Sequence, residues 1–125
     1  VVLQEMVYGL GEAIIGLHRD NLVGPIITVG AGGVFTEIYK DISLRPAPVT
    51  LATAQKMIAE VKGFAPLRGY RGGPVTDLET LAQAITAVSQ LGKYEQIAEA
   101  EINPLLICEG KVVMVDSLIR IASQL

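Results

Sequence analysis

Residues 100–117 read AEINPLLICEGKVVMVDS, and the loop at the centre of this stretch decides how the rest is placed. Apolar runs flank Glu109-Gly110, a two-residue loop of the kind that joins tightly paired antiparallel strands. The reading is a strand from Ala100 to Cys108, the turn, and a second strand from Val112 to Ser117. With that loop Cys108 pairs with Lys111 and Ile107 with Val112. Counting back brings Asn103 opposite Asp116. Directly opposed side chains share a face, with Cβ atoms about 5 Å apart. Glu101, two residues before Asn103, projects from that same face in a regular strand. The ribbon is thus expected to be polar at its base (Glu101, Asn103, Asp116) and apolar towards its tip on that face (Leu105, Ile107, Val112, Met114). Pro104 has no N–H to give to a ladder, so regularity is most exposed to disturbance there.

Two carboxylates held a few ångströms apart in a partly dry site repel each other. A hard cation removes that cost, and Mg²⁺ is usually held by one or two carboxylates, with water and phosphate oxygens completing its octahedron. An amide oxygen beside them suits the same ion. Spacing alone equally fits ordinary polar groups at the ends of two strands, with Asn103 assisting a turn before Pro104.

Upstream, Val1–Val7 is β-prone, residues 8–11 (YGLG) read as a turn, and Glu12–Leu17 resumes as a strand, giving a first hairpin. His18–Val23 is polar and reads as a loop. Pro25–Val29 is a short strand, and Val34–Tyr39 and Ile42–Arg45 alternate as half-buried strands until Pro46 and Pro48 end the run. Thr50 can cap a helix from Leu51 to about Lys62, with Leu51, Ala54, Ile58 and Val61 on one face and Gly63 as the stop. Phe64–Val75 reads as loop. Thr76 and Glu79 form a capping-box pattern for a second helix, lined by Leu78, Leu81, Ile85 and Val88 and ended by Gly92. Strands, two helices and a closing ribbon make an α+β arrangement, with helices on one face of a largely antiparallel sheet.

The 125 residues fit one compact unit, and with half of them hydrophobic and 18% charged the chain can bury a core. A net charge of −3 gives no reason to expect nucleic-acid binding. The most apolar stretch, Leu22–Phe35, is interrupted by Gly24, Pro25, Gly30, Gly32 and Gly33 and is too short to span a bilayer. A single cysteine, Cys108, cannot form an internal disulfide; it reads as a small buried hydrophobe and points weakly to a cytoplasmic location. The chain begins at Val1, within a strand-like run, and is expected to be part of a longer protein.

Other candidate groups have plainer readings beside functional ones. Gly30-Ala31-Gly32 lacks the third glycine of a dinucleotide fingerprint, since Phe35 stands there and the following residues alternate like a strand. Arg45, Arg68 and Arg71 have the chemistry to bind phosphate or coenzyme A, although solvated arginines are commoner. Glu37 is either a sheet-surface acid or a site residue. His18 reads as an exposed loop residue, and no Ser/His/Asp or Cys/His set is present.

Residues 101–105 (EINPL) with Asp116 resemble the metal-binding hairpin of succinyl-CoA synthetase β subunits and the ADP-forming acyl-CoA synthetase family. Residues 3–7 (LQEMV), 11–16 (GEAIIG), 24–25 (GP), 30–37 (GAGGVFTE), 40–41 (KD), 45–48 (RPAP) and 69–72 (GYRG) agree in order, so the resemblance covers nearly the whole chain. It implies the C-terminal subdomain of an ATP-grasp domain, residues 1–125 being one part of it. By resemblance, Asn103 and Asp116 bind Mg²⁺, and Glu101 matches an acid that steadies a phosphohistidine swinging into the nucleotide site. The family often has Asp there. Gln4, Glu5 and Val7 match the hinge that contacts adenine, and Glu12 the acid that accepts hydrogen bonds from the ribose hydroxyls of ATP or ADP. The implied parent reaction interconverts acyl-CoA, ADP and phosphate with acid, CoA and ATP. The partners implied are the other ATP-grasp half and a CoA-binding domain with the relay histidine, so this piece alone is expected to be inactive. Oligomerisation is an expectation too, because strand edges invite pairing. Two other readings are a regulatory domain of a protein lysine acetyltransferase and another ATP-grasp carboxylate ligase.

Overall fold

The computed structural model of the chain describes residues 11–32, 41–67 and 78–122. The strand and turn expected before Gly11, the strand Val34–Tyr39 and the Thr76 cap lie outside the described residues, as do Glu37, Arg68 and Arg71. In order, the elements are strands β1 (Gly11–Asp20), β2 (Gly24–Ala31) and β3 (Ile42–Pro46), helix α1 (Leu51–Glu60), a 3₁₀ helix (Lys62–Leu67) and helix α2 (Glu79–Gln90). A 3₁₀ turn (Leu91–Lys93) and strands β4 (Ile97–Cys108), β5 (Lys111–Met114) and β6 (Ser117–Ile121) follow. Every described pairing is antiparallel. The sheet runs β3-β2-β1-β4-β5, and β6 also lies along β4.

Alternation explains the layering. Ala13 and Ile15 of β1, Ile27 and Val29 of β2, and Ile102, Leu105 and Ile107 of β4 are buried on one sheet face against Ala54, Met57 and Ile58 of α1, Leu81, Ala82 and Ile85 of α2, and Val61, Phe64 and Leu67. The intervening residues of β1, Glu12, Ile14, Gly16 and His18, face the other way and stay half-buried or exposed. The α+β reading with helices on one face therefore holds. Among the described residues no helix lies on the opposite face, which carries Glu12 and Glu101.

Local chemistry sets the element ends, and several differ from expectation. β1 runs on through His18 to Asp20, because Arg19 and Asp20 pair with Pro25 and Gly24. The expected loop shrinks to residues 21–23, where the Asp20 carboxylate accepts hydrogen bonds from the backbone N–H groups of Leu22 and Val23. Thr50 caps α1 as expected, its side chain accepting from the N–H of Thr53. The helix ends at Glu60, earlier than Lys62, and the chain tightens into the 3₁₀ helix where loop was expected; Asp41 accepts from the N–H groups of Lys62 and Gly63 at its start. α2 begins at Glu79 with Leu78 at the cap position.

The terminal ribbon departs most instructively. Its tip is as read: Gly110 takes φ 73° in the turn, a left-handed value that glycine adopts without strain. Its second arm is not one strand but two, β5 and β6, separated by Val115 and Asp116. Opposite that break, β4 carries one residue more than β1 between the pairs Ala13↔Leu105 and Ile15↔Ile102, a bulge at Asn103–Pro104. The side-chain phase changes there. Ala100 and Ile102 are buried before it, Leu105 and Ile107 after it. The polar base and the apolar tip thus do not share one face as a regular strand would require, and Met114 remains 55% exposed. Pro104, which cannot donate to β1, sits at the irregularity.

Candidate functional site

The ribbon keeps its count across this phase change. Leu105 pairs with Met114 on one side and Ile102 with Ser117 on the other. Between them the N–H of Asn103 donates to the carbonyl of Asp116 at 3.0 Å, and the N–H of Val115 to the carbonyl of Pro104 at 3.1 Å. Asn103 and Asp116 are therefore opposite one another, in the register that the two-residue loop dictates. Glu101 pairs with Gly16 on β1 and Leu118 on β6, on the open face.

Glu101, Asn103, Asp116, Ser117 and Leu118 line one solvent-open hollow of about 290 Å³. Asn103 and Asp116 are exposed and Glu101 half-buried. Gly16 beside Glu101 adds no side chain that would cover the carboxylate. Two carboxylates and an amide oxygen form a donor set of hard oxygens, which fits Mg²⁺ and leaves coordination positions for phosphate and water. Among the described residues no three or more His, Cys, Asp or Glu side chains gather as a metal-ligand group. Ser117 and Leu118 were not singled out in the sequence, although the register carried two residues further reaches both.

Glu12 lies on the same open face at the other end of β1, paired with Leu106. Its carboxylate is exposed, and the N–H of Gly32 donates to its carbonyl at 2.8 Å. Four residues along β1 separate it from Gly16, the neighbour of Glu101; at 3.3 Å per residue that is roughly 13 Å. The structure thus brings Glu101, Asn103 and Asp116 together and sets Glu12 apart along one face. Gln4, Glu5 and Val7 lie outside the described residues.

The remaining candidates are engaged elsewhere. Arg45 forms an ion pair with Glu60 and donates to the carbonyl of Leu44 at 2.8 Å and the hydroxyl of Ser43 at 3.4 Å, fastening β3 to α1. The Arg45 guanidinium in turn holds the Glu60 carboxyl below its usual range. His18 is exposed on β1, across from Glu99, which pairs with Arg120 at 3.3 Å. Cys108 is buried and unpaired, as read. Among the described residues no helix is long and apolar enough to cross a membrane.

Comparison with known proteins matches residues 1–121 to a family described as the ATP-grasp domain. The chain is 39% identical over 117 residues to the ADP-forming acetate–CoA ligase I of Archaeoglobus fulgidus, covering 93% of this chain and 17% of that protein. It is 40% identical over 107 residues to the β subunit of ADP-forming acetate–CoA ligase I of Pyrococcus furiosus, covering 85% of this chain and 46% of that subunit. The chain thus spans less than half the length of either relative. Among solved structures it superposes with a TM-score of 0.85, at 37% identity, on a dinucleotide forming acetyl-coenzyme A synthetase 1 of Ca. Korarchaeum cryptofilum, over 94% of this chain and 55% of the other. That protein was solved with coenzyme A and Mg-AMPPCP, its phosphohistidine segment pointing towards the nucleotide binding site.

Proposed function

We propose that this chain, which belongs to the ATP-grasp domain family, is the C-terminal half of that domain and supplies the Mg-nucleotide face of an ADP-forming acid–CoA ligase. The observation that carries the reading is the convergence of Glu101, Asn103 and Asp116 on one hollow, on the sheet face opposite the described helices. Its support from outside is the 37% identity to a synthetase solved with Mg-AMPPCP.

In this reading Asn103 and Asp116 hold Mg²⁺. The ion, when bound, neutralises phosphate oxygens and aligns them for transfer. Glu101 stands beside the terminal phosphate and accepts a hydrogen bond from the incoming histidine ring, orienting it. Glu12 accepts hydrogen bonds from the ribose hydroxyls, and residues 4–7 contact adenine. The parent protein interconverts acyl-CoA, ADP and phosphate with acid, CoA and ATP, the phosphoryl group travelling on a histidine outside this chain. Its partners are the other ATP-grasp half and a CoA-binding domain. The location is cytoplasmic.

The test is ATP formation by the full-length protein from ADP, phosphate, Mg²⁺ and a panel of acyl-CoA substrates that includes acetyl-CoA. The reading expects ATP with at least one acyl-CoA and a loss of at least about a hundredfold in Glu101→Gln, the size typical of removing one preorganised group at a reacting phosphate. No ATP with any of them contradicts it. The isolated 125-residue chain is expected to give none.

A further inference from the structure

Gly32 follows the last residue of β2, where the chain presses against Glu12. Its N–H is bonded to the Glu12 carbonyl at 2.8 Å. A Cβ built on Gly32 falls 2.7 Å from the Cβ of Glu12, 3.1 Å from its Oε2 and 3.3 Å from its carbonyl carbon. Cross-strand Cβ atoms normally stand about 4.5–5.5 Å apart. The acid therefore lies over a backbone with nothing on it, and the carboxylate occupies the space that any side chain at 32 would claim. Among the described residues no hydrogen bond or ion pair engages that carboxylate. A side chain at 32 would have to displace it from that space.

We infer that Gly32 is a positioning residue that fixes the Glu12 carboxylate on the open face and so sets the preference for a nucleotide with a complete ribose. The inference rests on the proposed reading of Glu12 as the ribose acceptor. Gly32 touches no substrate and acts through Glu12 alone. A methyl group there displaces the carboxylate, and the 2′-hydroxyl loses its acceptor.

Gly63 provides a contrast at the same strand end. A Cβ on it meets the Cβ of Ala31 at 2.4 Å and Asp41 Oδ2 at 3.1 Å. Gly63→Ala disturbs the end of β2 through Ala31 and Asp41, without contact to Glu12.

The experiment measures ADP against 2′-deoxy-ADP, as Mg complexes, by titration of the full-length protein. Wild type is expected to favour ADP by about tenfold or more, the worth of a hydrogen bond to a charged acceptor. Gly32→Ala brings the two within about twofold. Gly63→Ala lowers the melting temperature and keeps the wild-type ratio. Glu12→Asp retains the charge but withdraws it by one methylene, and it also collapses the ratio, which makes the test independent of whether Gly32→Ala folds. A folded Gly32→Ala or Glu12→Asp protein with the wild-type ratio overturns the inference. Glu12→Ala separates the two levels: if it too keeps the wild-type ratio, the ribose reading itself is lost, and the inference with it.

Discussion

Arg19 shows how one side chain can fasten the far end of the sheet. Its Nε donates to the carbonyl of Ile97 at 2.8 Å, and its Nη2 donates to the carbonyls of Gly92 and Tyr94. These oxygens lie where the turn after α2 enters β4, a place with few helical partners of its own. Arg19→Leu keeps the apolar stem and removes the donors. Charge-assisted bonds of this kind contribute about 1.5–3 kcal/mol, so the amides around residues 92–97 should exchange with solvent roughly ten- to hundredfold faster. Unchanged exchange there would count against the clamp. Asp20 makes the corresponding prediction in pH. The N–H groups of Leu22 and Val23 hold its carboxyl below the usual value of 3.8. A depressed carboxyl stabilises above its unfolded pKa and ceases to as pH falls through its folded one. Protection of the Leu22 and Val23 amides should therefore be full above about pH 4 and vanish on further acidification. In Asp20→Asn that pH dependence should be missing.

Among elements, the contact between α2 and the approach to α1 depends on a buried hydroxyl. Ser89 Oγ accepts from the N–H of Val49 at 3.0 Å and donates to the carbonyl of Thr86 at 2.7 Å. Ser89→Ala leaves the Val49 N–H buried without an acceptor, at a cost of about 1–3 kcal/mol. A lower urea midpoint should report it, and an unchanged midpoint would mean that the N–H finds another partner. Such a bond was not visible in the chain alone, since Ser89 is one polar position within an amphipathic helix and its partner lies forty residues away. The terminal ribbon was far more legible. Its register follows from a two-residue loop, a local feature, and it holds from Cys108 back to Glu99. The bulge at Asn103–Pro104 was legible only as a weak point, because bulges form against a neighbouring strand, here β1, whose identity depends on the whole topology. The continuation of β1 through His18, Arg19 and Asp20 escaped notice for the same reason: polar residues at the edge of a turn look like loop until a partner strand is known. The α1 cap at Thr50 was readable because its hydrogen bond spans three residues.

At the scale of the molecule, the described helices all pack on one side of the sheet, and the site residues lie on the other. The core of Phe64, Met57, Leu81 and Ile85 holds β1 and β4 together from behind. That support gives the open face its precision, since Glu12 and Glu101 ride on strands whose opposite sides are closely packed. The ribbon register sets Asn103 opposite Asp116, and both line the same hollow as Glu101. The bulge against β1 turns the apolar tip, Leu105 and Ile107, to the core side instead. The most direct test is titration of the full-length protein with ADP, with and without Mg²⁺, beside Asn103→Ala and Asp116→Ala. The account predicts that each variant loses at least about tenfold in affinity for Mg-ADP and keeps the wild-type affinity for ADP without metal. Wild-type affinity for Mg-ADP in both variants would contradict it.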